Sequence, residues 1–210
     1  MTDNGQYWEQ RFGKEGMIWG ESPSITAYYA LDLFRNYEIN NILVPGSGYG
    51  RNTKLFSSSG YKVTGIEISK KACIMAKQFD PVSQFSRGSV LDMSFDTNQF
   101  DAIYCFNVLH LFLEGDRKLL LENCAEKLKK TGLMFFTVFS DEESNFGQGK
   151  QVENNTFETR PGRPAHYYTE NDLLEQFKDF SISEKGILAD PEDHGGKSHT
   201  HLLRYVLVTK

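Results

Sequence analysis

The run Asn41-Ile42-Leu43-Val44-Pro45-Gly46-Ser47-Gly48-Tyr49-Gly50-Arg51-Asn52 constrains this chain more than any other. A short apolar stretch that stops in three alternating glycines reads as a buried strand turning at once into a helix. Gly46 permits the turn, Gly48 lets a ligand approach the backbone, and Gly50 lets the helix start close to the strand. The segment RNTKLFSSSG supplies that helix, closed by Gly60, and KVTGIE (62–67) is a second strand ending in Glu67. A carboxylate about 20 residues past the glycines can accept both hydroxyls of an adenosine ribose. Without that acid the loop would be no more than a tight strand–helix turn.

The alternation continues. Ser69 is an N-cap for a helix with Ala72, Met75, Ala76 and Phe79 on one face. A weak strand near 82–87 precedes the buried strand 100–106. Asp116 is expected to open a helix with Leu120, Leu121, Cys124 and Leu128 inward, ended by Thr131-Gly132 before the strand 132–140. Thr169, with Asp172 three residues on, caps a last helix, and two apolar runs close the chain as an antiparallel pair. This pattern predicts an α/β fold: a doubly wound, Rossmann-like sheet, mostly parallel and seven-stranded with one antiparallel strand, and helices on both faces. Before it, residues 1–38 form a helical preface, with Tyr7, Trp8 and Phe12 clustered and Ser24 capping a helix that carries Tyr28, Leu31 and Leu33. Residues 140–168 break the rhythm with polar and turn residues and no period. A long insert after the carboxyl end of a strand sits where α/β sheets bind ligands. We read the 210 residues as one domain: a lid (1–38), a cofactor-binding core (39–140), a substrate-side insert (141–168) and a C-terminal helix and β-hairpin (169–210).

Composition narrows the function. The 28 acidic residues against 23 basic ones leave a charge of −5, which disfavours nucleic acid as a partner. No apolar stretch reaches the ~18 residues of a membrane helix, and three scattered cysteines make neither a disulfide framework nor a zinc knuckle. The expectation is a cytoplasmic protein, monomeric or homodimeric, acting on a small molecule without nucleic acid or membrane.

The Gly-x-Gly-x-Gly spacing resembles that of class I S-adenosylmethionine-dependent methyltransferases, whereas dinucleotide enzymes use Gly-x-Gly-x-x-Gly. The likeness covers residues 38–140. PGSGYGRN followed by VTGIEIS is similar to small-molecule methyltransferases of the tellurite-resistance and thiopurine types, and YWEQRFG…WGESPS is similar to their aromatic preface. The resemblance implies S-adenosyl-L-methionine as cofactor. It implies that Gly46, Ser47, Gly48, Tyr49, Gly50 and Asn52 cradle the methionine half, while Glu67 and Ile68 hold the ribose. Ser89, Val90 and Asp92 would border the adenine, with Phe106, Asn107 and Trp19 around the methionine and methyl. Two departures stand out: Val44 replaces the family's acid two positions before the first glycine, and Ser89 stands where the family often has an aspartate. Asp92 either replaces that aspartate or caps the next turn.

Methyl transfer from a sulfonium is above all a positioning problem; a hydroxyl or ammonium acceptor also needs a base. His110, after the fourth strand, and His166, in the insert, are the candidate bases. Each also reads as a packed or solvated histidine. Arg160, Arg163 and Tyr168 are candidate substrate contacts, the arginines as forks for a carboxylate or phosphate. Asp193, His194, His199 and His201 form the densest ligand cluster, a weak metal candidate because its glycines leave the geometry loose. Asn107-Val108-Leu109-His110 lacks the Asn/Asp-Pro-Pro-aromatic motif of base-amino methyltransferases. Two rival functions remain: an NAD(P)-dependent oxidoreductase, disfavoured by the glycine spacing and the lack of a Tyr-x-x-x-Lys pair, and a non-catalytic S-adenosylmethionine-binding module.

Overall fold

The computed structural model describes residues 4–94, 99–194 and 197–210, and omits the side chains of Asn4, His194 and Lys197. Helices α1 (Asn4–Glu15) and α2 (Ile25–Phe34) precede β1 (Asn41–Pro45), α3 (Arg51–Ser58), β2 (Lys62–Glu67), α4 (Lys70–Phe79) and β3 (Gln84–Arg87). Then come β4 (Phe100–Phe106), α5 (Glu114–Lys127), β5 (Leu128–Phe139), β6 (Lys150–Glu153), β7 (Thr156–Arg160) and β8 (Arg163–His166). The elements α6 (Glu170–Gln176), β9 (Ser181–His194) and β10 (Lys197–Thr209) complete the order. The main sheet runs β3-β2-β1-β4-β5-β10-β9, with β10 antiparallel to both its neighbours. The expected doubly wound, seven-stranded sheet with one reversed strand is the one observed.

The sheet is covered on both faces, and the alternation along each strand shows how. On β1, Ile42 and Val44 face α2 and α3, joining Leu31, Phe34 and Phe56, while Leu43 points the other way. On β5, Leu133 and Phe135 share that first side, while Met134, Phe136 and Val138 pack with Leu120, Leu121 and Cys124 of α5 and Phe177 after α6. Strict period-two partition between two apolar layers is what a sheet buried on both faces requires. All three cysteines are buried and unbridged. The caps fall where expected: Ser24 accepts from the amide of Thr26, Ser69 from that of Ala72, and Thr169 forms a capping box with Asp172.

Three local expectations are corrected. The helix expected from Asp116 begins at Glu114, and α5 passes directly into β5 at Leu128 instead of ending at Thr131-Gly132. Gly132 serves close strand packing: a Cβ there would lie 2.6 Å from the Leu128 side chain and 3.0 Å from the Asp101 carbonyl. On α2, Tyr28 is exposed. The insert is ordered, since β6, β7 and β8 make a three-stranded antiparallel sheet. Its turns fall at Asn154-Asn155 and Pro161-Gly162, with Asn155 at φ 51° and Gly162 at φ 73°. Finally, β9 and β10 run through the expected polar loop as a paired arm that reaches His194 and restarts at Lys197.

Candidate functional site

A cavity of about 420 Å³ opens at the carboxyl ends of β1 and β4. Its floor is the glycine loop. The amides of Gly46 and Ser47 both donate to the Ile66 carbonyl, at 2.8 and 3.0 Å, which pins the loop to β2. Gly46 and Gly48 have φ of 67° and 56°, a region other residues seldom adopt. A Cβ on Gly46 would sit 2.4 Å from Val108 Cγ2, whereas one on Gly48 would have Phe12 Cζ as nearest atom at 3.7 Å. Gly46 therefore answers to packing, and Gly48 leaves room for a ligand. Gly50 does not line the cavity; it lets α3 approach Ala76 of α4, its virtual Cβ 3.4 Å from that residue.

Glu67 ends β2 beneath the loop. One carboxylate oxygen accepts from the amide of Gly48 at 2.9 Å and the other from that of Ser69 at 2.8 Å. Burial pushes its pKa up, against the pull of those amides. Each oxygen keeps a second lone pair, so the loop amides and a ribose can share it. Ile68, Ser89 and Val90 line the same wall. Asp92 does not: it is exposed, and its carboxylate accepts from the amide and hydroxyl of Ser94, closing a local turn. Of its two sequence readings, the turn cap is the one observed. At the far side Phe106 and Asn107 follow β4. Asn107 has φ 54°, held by its amide donating to Thr137 and its side chain accepting from the Thr137 hydroxyl. Among the described residues the only carboxylates lining the cavity are Glu67 and Glu192, so nothing acidic stands at the place of Val44.

The preface forms the roof. Trp8, Phe12, Trp19 and Tyr49 pack edge and face on one another, with Trp19 stacked on Tyr49 at 6.1 Å. The Tyr49 hydroxyl donates to the Gly20 carbonyl and accepts from the Trp19 amide, and its burial pushes its pKa up to about 12. Tyr49 thus fastens the preface to the glycine loop. Asn52 does the same by accepting from the amide of Ser24. Arg51 ties the preface to the far edge of the sheet: it donates to the Trp19 carbonyl and, at 2.5 Å, to buried Glu192.

The candidate bases are not placed as expected. His110 lines the cavity, but it is 1% exposed, is stacked on Phe139 at 3.9 Å, and accepts through Nδ1 from the Phe139 amide. That bond leaves the proton on Nε2, and burial holds the pKa well below the ordinary histidine value. His110 can donate to a ligand there, while its Nδ1 lone pair is taken by the Phe139 amide and does not reach a ligand's proton. His166 lies off the cavity, its Nδ1 2.8 Å from the Thr156 hydroxyl, with burial pulling its pKa down to about 4. Tyr168 is fully buried in the core, and it is Tyr167 that faces the cavity. Adjacent residues in extended chain point to opposite sides, so one position decides. Arg160 is exposed on the hairpin, whereas Arg163 lines the cavity with its guanidinium 3.6 Å over the Tyr7 ring.

The histidine cluster is real with a different membership. His199 and His201 share a face of β10, their Nε2 atoms 2.9 Å apart, and Glu192 joins them from β9. Asp193 stands one residue on, on the other face, and the side chain of His194 lies outside the described residues. Arg51, Glu143, Phe139 and Glu192 were not foreseen. Arg51 and Glu192 are 141 residues apart, and no local pattern announces such a pair.

The profile of a methyltransferase domain family matches residues 43–136. A search of curated protein sequences finds no match. Among solved structures, one described under the conversion of a disulfide bond into a thioacetal group during echinomycin biosynthesis is 16% identical with a TM-score of 0.78, over 100% of this chain and 91% of its own. The 1,6-didemethyltoxoflavin-N1-methyltransferase of Burkholderia thailandensis, bound to 1,6-didemethyltoxoflavin and S-adenosylhomocysteine, is 17% identical with a TM-score of 0.74, over 99% of this chain and 88% of its own. A methyltransferase of Methanosarcina mazei described as S-adenosylmethionine-dependent is 20% identical with a TM-score of 0.72, over 85% and 96%. Residues 43–136 thus match a methyltransferase domain family, and the fold around them is similar to that of solved S-adenosylmethionine-dependent methyltransferases.

Proposed function

We propose that this chain transfers the methyl group of S-adenosylmethionine to a small molecule. The observation that carries the reading is the cavity itself: a glycine floor open at Gly48, a ribose-compatible carboxylate at Glu67, and an aromatic roof, all around about 420 Å³. Such a volume suits small ligands, and Trp8, Phe12 and Trp19 of the preface line it. The residues present fit the cofactor, since the space a side chain on Gly48 would fill is left free next to Glu67. Gly46, Ser47 and Gly48 would hold the methionine half, Glu67 the ribose, and Ser89 with Val90 the adenine. Bound there, the cofactor supplies an electrophilic methyl whose bonding pair stays on sulfur as the acceptor's lone pair forms the new bond.

The chain's own share is to position and to exclude water. Asn107 fixes the turn beneath the reacting centre, His110 offers an N–H, and Trp8, Phe12 and Trp19 cover the site. Arg163 and Tyr167, on the opposite wall, select the acceptor. Residues 141–168 act as the substrate-side cover and 1–38 as the lid of one domain. The 1,6-didemethyltoxoflavin-N1-methyltransferase, similar in fold, has 1,6-didemethyltoxoflavin bound in its structure, and that supports a small-molecule acceptor here. Calorimetric titration of the full chain with S-adenosylhomocysteine and NAD tests the reading: the first binds, the second does not. Release of S-adenosylhomocysteine on incubation with S-adenosylmethionine and a small-metabolite extract is then expected. Tight NAD binding alone would overturn the cofactor, and binding without turnover on any acceptor pool would leave a non-catalytic module.

A further inference from the structure

The arm made by β9 and β10 brings three metal-ligating side chains to one point of the cavity wall. His199 pairs directly opposite Glu192, and His201 opposite Asp190. Residues opposite one another in an antiparallel pair share a face, as do residues two apart on one strand. Glu192, His199 and His201 therefore converge, and all three line the cavity. The two Nε2 atoms are 2.9 Å apart, Glu192 Oε2 is 3.8 Å from His201 Nε2, and one ligand atom from each residue lies within 4.8 Å of the others.

The surroundings of these groups are built. His201 Nδ1 lies 3.1 and 3.2 Å from the two carboxylate oxygens of Glu143, which is buried and also accepts from the Leu202 amide. That carboxylate keeps the proton on Nδ1 and turns the Nε2 lone pair toward His199 and Glu192. Phe139 stacks on the His201 ring at 5.0 Å. Glu192 gives Oε1 to Arg51, and Oε2 faces His201. A histidine oriented by a carboxylate, with a second histidine and a single carboxylate oxygen beside it, is the donor set of three-ligand sites that keep one position open.

We propose that Glu192, His199 and His201 bind one divalent ion of the Zn²⁺ class, with its open position turned into the cavity to take the thiolate, oxygen or amine of a small ligand. Two imidazoles select against Mg²⁺ and Ca²⁺, which prefer oxygen alone. That this ligand is the methyl acceptor rests on the methyl-transfer reading; the metal site does not. Within that reading the ion supplies what His110 and His166 do not, because a coordinated thiol or hydroxyl releases its proton to solvent near neutral pH. The competing account is a plain hydrogen bond in which His199 Nε2–H donates to His201.

The full chain, prepared without a polyhistidine tag and stripped with chelator, is dialysed against Zn²⁺ and its metal counted by atomic emission. One ion per chain is expected, and Co²⁺ in its place gives the intense visible bands of a four-coordinate site. His199→Gln and the pair His199→Ala with His201→Ala lose binding at least about 100-fold. Glu143→Gln weakens it by about 10–100-fold, and Asp193→Ala leaves it unchanged. A chain that takes up no zinc, or a folded double variant that binds as well as the original, overturns the proposal in favour of the hydrogen bond. A small thiol added to the Co²⁺-loaded chain brings a thiolate-to-cobalt charge-transfer band; an unchanged spectrum overturns the open position. S-adenosylhomocysteine binding is measured on the same samples. Zinc without it breaks the methyltransferase reading and keeps the metal, and the reverse breaks only the metal.

Discussion

The two halves of the cavity are made of different materials. The wall from β1 to β3 is built from backbone: glycine amides, the Ile66 carbonyl, and one carboxylate that itself holds backbone amides. The opposite wall, from the end of β5, from β9 and β10, and from the hairpin sheet β6–β8 with the residue after it, is built from side chains, with Phe139, Arg163, Tyr167, Glu192, His199 and His201 lining the cavity. A backbone wall fixes the shape of one ligand and tolerates much sequence change elsewhere. A side-chain wall can be rewritten residue by residue without disturbing the sheet. The difference suits a constant cofactor on one side and an acceptor set by each protein on the other.

Arg51 joins these halves, and removing it is the strongest test of whether they are one unit. Arg51→Met takes the guanidinium from buried Glu192 Oε1 and costs about 3 kcal/mol or more, read as a fall in the denaturant midpoint. Adding Glu192→Leu restores most of that loss, since a well-packed apolar pair can replace a buried ion pair. If Arg51→Met is as stable as the parent, the bridge contributes nothing and the halves are independent.

The hairpin side also carries a pH signature. His166 is held near pKa 4 by burial, against about 6.5 unfolded. The unfolded chain thus takes up a proton first as pH falls. The contribution of His166 is complete above pH 6.5 and is lost progressively toward pH 4, up to about 3 kcal/mol. Urea titrations at several pH values on His166→Gln should show a shallower fall through that window. Equal slopes in the two proteins would remove His166 from the account.

On the backbone side, Glu67→Gln sets an amide N–H against a backbone N–H that Glu67 now satisfies. About 2 kcal/mol of S-adenosylhomocysteine affinity, roughly thirty-fold, is expected to go, and unchanged calorimetry would refute the role. The smallest effect separates the floor from its surroundings. Asp92→Ala, on an exposed turn, should leave cofactor affinity within about twofold of the parent. A tenfold loss there would return Asp92 to the adenine.

How much of this was legible follows the same division. The glycine loop, Glu67 and the caps at Ser24, Ser69 and Thr169 depend on neighbours in sequence, so local pattern exposes them. The side-chain wall depends on parity and on distant partners. Tyr168 for Tyr167 and Asp193 for Glu192 are each one residue off, because extended chain turns alternate residues to opposite faces and the polar composition of both segments hides that they are extended. The hairpin sheet did leave signals, in the Asn154-Asn155 and Pro161-Gly162 turns, that a long polar composition obscured. Arg51 with Glu192 and His201 with Glu143 meet only through the topology, and nothing local marks them. For His110 the position was legible and the lone pair was not, since its partner is a backbone amide on another strand.

The preface has a consequence for the order in which the molecule is assembled. Residues before β1 leave the ribosome ahead of everything they pack on. Trp19 waits for Tyr49, and the amide of Ile25 and hydroxyl of Ser24 wait for Asp190, in the latter case 166 residues later. Contacts so distant in sequence form late and slowly. The start of α2 is thus synthesised early and seated last, whereas the contact of Trp19 with Tyr49 over the glycine floor needs only the first 49 residues.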